Sequence, residues 1–124
     1  MSKPFAFIIE DHDMLSSLFE EALIEAGYET EVALDGEVAS SRLKEITPHL
    51  ILLDLHLPHV SGAELLKQIR ADSRFDATRI IVASADGTWS ASLDSEVDFV
   101  LNKPVSYVQL RTLASRLLNT FTMD

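Results

Sequence analysis

The sequence predicts an α/β domain: a five-stranded parallel sheet, doubly wound, with helices on both faces. Three observations predict it. Apolar runs of strand length alternate with segments of helical period, the pattern of βαβ units. Two of those runs, at 50–53 and 80–83, are almost continuously aliphatic, as strands covered on both faces should be. The connections are short, and right-handed crossovers between parallel strands leave few other topologies.

In chain order, residues 4–9 read as the first strand, 30–34 as the second and 50–53 as the third, with 80–83 and 97–101 completing five. Between the first two, residues 13–26 put Leu15, Leu18, Ala22, Leu23 and Ala26 on one helical stripe, and Gly27 supplies the stop. A second helix over 35–46 carries Val38, Leu43 and Ile46 and ends before Thr47-Pro48. The third opens with Ser61-Gly62-Ala63-Glu64, a capping box, and continues through Leu65, Leu66 and Ile69. Ser106-Tyr107-Val108-Gln109 is a second such box, followed by the stripe Leu110, Leu113, Leu117 and Leu118 of the last helix. Residues 86–96 give only a short or irregular fourth helix, because Gly87, Thr88 and Ser90 are poor helix formers.

At 124 residues the chain has the length of one ordinary domain, read as a single unit over 1–124. No apolar run is long enough to cross a bilayer, and the N-terminus shows no secretory pattern, so a cytoplasmic location is expected. Cysteine is absent, which excludes disulfides and thiolate metal sites. Twenty acidic against ten basic side chains give a net charge of −10. With the basic residues scattered, that charge argues against nucleic-acid or membrane-surface partners.

In an open parallel sheet, ligands bind beyond the carboxyl ends of the strands. The residues at those ends are Glu10 and Asp11, Asp54, Ser84, and Lys103 with Pro104. Each alone has an ordinary use as a loop cap or a solvated surface group. Together they bring three acids, a hydroxyl and an amine to one edge. Clustered carboxylates raise one another's pKa unless a cation is present, and hard oxygen ligands suit Mg2+. An opposing lysine could hold a carboxylate ionised, or hold a phosphoryl oxygen once that carboxylate is modified.

On these residues the chain resembles the response-regulator receiver family over its whole length. The acidic pair Glu10-Asp11, ILLDLHLP around Asp54, VASA around Ser84 and NKPV around Lys103 occur in family order. Asp11 and Asp54 lie 43 positions apart, and Asp54 and Ser84 lie 30 apart. The resemblance implies a flavodoxin-like (βα)5 fold and a signalling phosphoacceptor that catalyses only its own phosphorylation and dephosphorylation. In that reading Asp54 takes a phosphoryl group from a phosphohistidine of a sensor histidine kinase or histidine phosphotransfer protein. Glu10, Asp11, Asp54 and the main-chain carbonyl of His56 bind Mg2+; Lys103 and Ser84 contact phosphoryl oxygens; the small Ala85 leaves access. The partner docks near Met14, Leu15 and Leu18, and a downstream protein or effector domain receives the signal.

Two departures from the family pattern stand out. The position three before the lysine, often aromatic, is Val100, and the neighbouring Phe99 should face the opposite side of its strand. Ser84 and Lys103 are only 19 apart, and the shortage falls in the weak fourth-helix region that carries Trp89.

Rival readings are weaker. His12, His49, His56 and His59 could suggest zinc, but no helix holds them together. A haloacid-dehalogenase-like phosphatase would use Asp11 and Asp13, imitated by Asp11-His12-Asp13. That family needs an acidic pair after the lysine, and only Asp124 follows Lys103. A degenerate receiver serving purely in protein contacts would have no use for the intact acids and lysine.

Overall fold

The computed structural model describes residues 3–85 and 95–121. Residues 86–94, which include Trp89 and most of the expected irregular fourth helix, lie outside the described residues. Five parallel strands form one sheet: β1 (Phe5–Ile9), β2 (Glu29–Ala33), β3 (Leu50–Asp54), β4 (Arg79–Ser84) and β5 (Phe99–Asn102), in the order β2-β1-β3-β4-β5. The helices are α1 (Asp13–Ala26), α2 (Gly36–Leu43), α3 (Gly62–Arg70) and α4 (Tyr107–Leu118), with a 3-10 turn at Ser73–Phe75. The strand order reverses direction at β1, so a crevice opens between the carboxyl ends of β1 and β3.

Period-two alternation divides the core. Ala6, Ile8, Leu50, Leu52 and Ile81 meet Phe19, Leu23, Leu110 and Leu117 of α1 and α4 on one face. Phe7, Ile9, Ile51, Leu53, Ile80 and Val82 meet Leu43, Leu65, Leu66 and Ile69 of α2 and α3 on the other. Each such leucine, isoleucine, valine or phenylalanine contributes about 1.5–3 kcal/mol on burial. That two-sided cover explains why every residue of β3 is buried.

The helices begin where the caps are. The side chains of His12, Asp35, Ser61 and Ser106 each accept a backbone N–H three residues on, at the starts of α1, α2, α3 and α4. Gly27, at φ 114°, ends α1 in the left-handed conformation and donates to the carbonyls of Ile24 and Leu23.

Three expectations need correction. In α1 the period is right but the phase is rotated: Ser16 and Phe19 are buried, while Leu15 and Leu18 are each 37% exposed. In α2 the helix stops at Leu43, three residues before the expected end, and Ile46 packs against the core from the following turn. Its buried stripe is Gly36, Ala39 and Leu43, and Val38 faces outward. β5 starts at Phe99 rather than at 97, because the Asp98 carboxylate accepts the Ile80 N–H at 2.7 Å and pairs with Arg79 at 3.0 Å. Asp98 thus closes the entrance to the strand with its side chain.

Candidate functional site

The site is assembled by strand ends. β1 and β3 pair in register from Ala6↔Leu50 to Ile9↔Leu53, so the residues that follow, Glu10 and Asp54, emerge side by side. Counting by two along the strands puts them on the same side as Ile8 and Leu52. β4 and β5 bring Ser84 opposite Asn102, and the Lys103 N–H donates to the Ser84 carbonyl at 2.9 Å, which fixes the lysine at the next edge. The Lys103-Pro104 peptide is cis.

Asp54 is 2% exposed, yet it is well held. Its Oδ1 accepts from the Lys103 Nζ at 2.8 Å and from the His56 backbone N–H at 3.0 Å. Glu10 is equally buried, and its Oε2 accepts the His12 N–H at 3.1 Å. Its other oxygen, Oε1, is buried with no hydrogen-bond partner. Burial above all pushes the Glu10 carboxyl up to about 7; the Asp54 charge and the neighbouring Asp11 carboxyl add to this, against the His12 N–H and Lys103. Carboxylate oxygens of Glu10, Asp11 and Asp54 lie within 4.8 Å of one another, with Asp11 exposed at the rim. Ser84 is fully buried at the end of β4, and its hydroxyl donates to the Ala85 carbonyl at 3.1 Å.

The chemistry of this donor set fits a divalent cation. Three carboxylates supply hard oxygens, and the orphaned Glu10 Oε1 is a buried acceptor that a cation would satisfy. Among the described residues this is the group that could hold a metal, and no histidine belongs to it. His49 lies at the opposite edge of the sheet, where its Nδ1 accepts the Phe5 N–H. Asp13 is also outside the cluster, in the first turn of α1, so the Asp11/Asp13 pair of a phosphatase is not assembled.

Three features escaped the sequence reading. His12 acts through its backbone on Glu10 and through its ring as the cap of α1. His56 offers its N–H to Asp54, where only its carbonyl was expected to matter. The third is a pair of glycines, Gly36 and Gly62, packed against the loop after Asp54. A glycine just inside a capping position, where better helix formers are available, was the legible signal. A concavity of about 600 Å3 at the amino end of the sheet is lined by Arg70, Arg79, Asp98 and Phe121. Arg70 is engaged there with the carbonyls of Phe75, Thr78 and Glu96, so its role is to hold the chain.

A parallel sheet of order 2-1-3-4-5, with an acidic cluster bridged by a lysine at its switch point, defines a flavodoxin-like domain whose carboxylates at that edge suit a divalent cation. The family model described as the response regulator receiver domain matches residues 6–115, and the chain belongs to that family. It is 30% identical over 98% of its length to hybrid signal transduction histidine kinase D of Dictyostelium discoideum, of which it spans 8%. It is 33% identical over 93% of its length to the phosphate regulon transcriptional regulatory protein PhoB of Rhizobium meliloti, of which it spans 52%. The chain therefore covers much less than the full length of these curated relatives. A response regulator receiver domain from Methylobacillus flagellatus is 25% identical, with a TM-score of 0.84 over 94% of this chain and 99% of that one. Receiver domains are signalling phosphoacceptors, and the haloacid-dehalogenase alternative finds no support among these relatives.

Proposed function

We propose that Asp54 is the phosphoryl acceptor, and that it acts in a phosphorelay in the cytoplasm, receiving the group from a phosphohistidine on a sensor histidine kinase or a histidine phosphotransfer protein. The observation that carries this reading is the Asp54 carboxylate itself: buried, fixed by Lys103 at 2.8 Å and by the His56 N–H, and grouped with Glu10 and Asp11. A carboxylate oxygen forms the new P–O bond as the P–N bond to the partner's imidazole breaks, with the electron pair leaving on nitrogen. Glu10, Asp11, Asp54 and the His56 carbonyl would hold Mg2+, which neutralises charge on the phosphoryl oxygens when bound. Lys103 stays within reach of the group added to Asp54, and Ser84 at the end of β4 supplies a hydroxyl to a phosphoryl oxygen. Positioning and charge neutralisation then supply most of the rate, so the chain needs no further catalytic side chain. The exposed Met14, with Leu15 and Leu18 half in solvent, offers the partner an apolar patch beside that edge.

Intact-mass measurement after incubation with Mg2+ and acetyl phosphate tests the assignment. One phosphoryl group on the wild type and none on Asp54→Asn is expected. Label persisting in Asp54→Ala at the wild-type level would sink it.

A further inference from the structure

Gly36 and Gly62 each stand one residue past a helix N-cap, a position open to residues that form helix more readily. Neither has a positive φ, so conformational freedom does not explain them. Space does. A Cβ on Gly36 would lie 2.7 Å from the Val60 Cβ and 2.9 Å from its carbonyl oxygen. One on Gly62 would lie 2.5 Å from the Leu55 Cα and 2.6 Å from the Asp54 carbonyl oxygen. These are main-chain and branched atoms, which cannot swing aside as the end of a long side chain can.

Both glycines press on the loop that joins β3 to α3. That loop is closed by the Gly62 N–H on the Leu55 carbonyl at 3.2 Å and tightened by the Val60 N–H on the Pro58 carbonyl at 2.8 Å. His59 sits in it at φ 70°, a conformation costly for a non-glycine residue and held only by its surroundings. At its start the His56 N–H holds Asp54. With both ends fixed and few residues between, a shift forced at Val60 has little slack to absorb it before His56.

We propose that Gly36 is a positioning residue for the acceptor: its missing side chain lets α2 bear directly on Val60 and holds the β3–α3 loop where the His56 backbone meets Asp54. This rests on the reading of Asp54 above, and extends the site to a helix that bears none of its chemical groups. Gly62 sets the same loop from within, against the acceptor's own carbonyl.

The test is Gly36→Ala, a change that favours the helix itself. In the metal-free, unphosphorylated protein the His56 amide resonance should move. Acyl-phosphate formation from acetyl phosphate at saturating Mg2+ should slow by roughly tenfold, the scale of a sub-ångström misplacement. Adding Val60→Gly removes the 2.7 Å Cβ contact and leaves the 2.9 Å contact with the main-chain oxygen, so it should restore part of the rate, although loss of the half-buried valine lowers the melting temperature. Faster chemistry in a less stable protein is an outcome that a purely structural glycine would not give. Val60→Gly alone should also shift the His56 amide. An unmoved His56 amide in both single variants, or a slowed rate that the double variant fails to recover, overturns the proposal. A wild type that takes no phosphoryl group would instead overturn the assignment of Asp54, because the amide measurement does not depend on phosphorylation.

Discussion

Replacing Lys103 by methionine keeps most of the apolar stem and removes the cation facing Asp54. What remains around that 2% exposed carboxylate is the His56 N–H and two further acids in the same cluster. A hydrogen bond to a charged group contributes about 1.5–3 kcal/mol. Stripping one partner from a fully buried ion pair costs about 3–5 kcal/mol. The Lys103 side chain is 27% exposed, so water enters the vacated space and the lower range applies. The expected loss without divalent metal is about 2–3 kcal/mol, or roughly 10 °C in melting temperature for a domain of this size. Thermal unfolding followed by circular dichroism in chelator measures it. The decisive comparison is the same substitution in Asp54→Asn, where the cation has lost its hydrogen-bonded carboxylate and keeps only its weaker interaction with Glu10, so the loss should shrink below about 1 kcal/mol. Equal losses in the two backgrounds would refute the claim that the pair is one energetic unit.

Magnesium at ten times its dissociation constant should add about 1.4 kcal/mol by mass action to the wild type, and much less to Asp11→Asn at the same concentration. Equal stabilisation of both proteins would contradict the ligand assignment. A second expectation concerns pH in the metal-free protein. Because burial raises the Glu10 carboxyl from 4.5 to about 7, the folded state holds its proton where the unfolded state has lost it. The stability this contributes is present below about 4.5, falls as pH rises to about 7 and is level beyond. Urea midpoints across that window, wild type minus Glu10→Gln, isolate the slope, and a flat difference would show that Glu10 ionises freely in the fold.

Strand identity was legible wherever burial on both faces removed the need for alternation, as in β3 and β4. Boundaries were less so. Asp98 is an acid that sequence places inside an apolar run, and only the fold shows its carboxylate taking the Ile80 N–H and so delaying β5. The phase error in α1 has a similar origin. Leu15 and Leu18 are larger and more apolar than Ser16, and hydropathy alone assigns them to the core. Yet Ser16 can be buried because its hydroxyl donates to the Asp13 carbonyl inside the helix, leaving two leucines and Met14 outward.

The candidate site was the most legible part, for a reason rooted in topology. Glu10, Asp54 and Lys103 lie far apart in sequence, but a parallel sheet delivers every strand's carboxyl end to one edge, so listing strand ends listed the cluster. That logic finds side chains and misses what the backbone does. The His56 and His12 N–H groups that hold Asp54 and Glu10 belong to loops, where residue type scarcely constrains the direction of an amide. The same limit hid Gly36, whose value is an absent atom facing a loop some two dozen residues away. It could be inferred only by asking why a helix start should tolerate glycine at all. Helix starts that open on glycine without a positive φ therefore merit the question of which backbone lies against them, and here the backbone is that of the loop that follows Asp54.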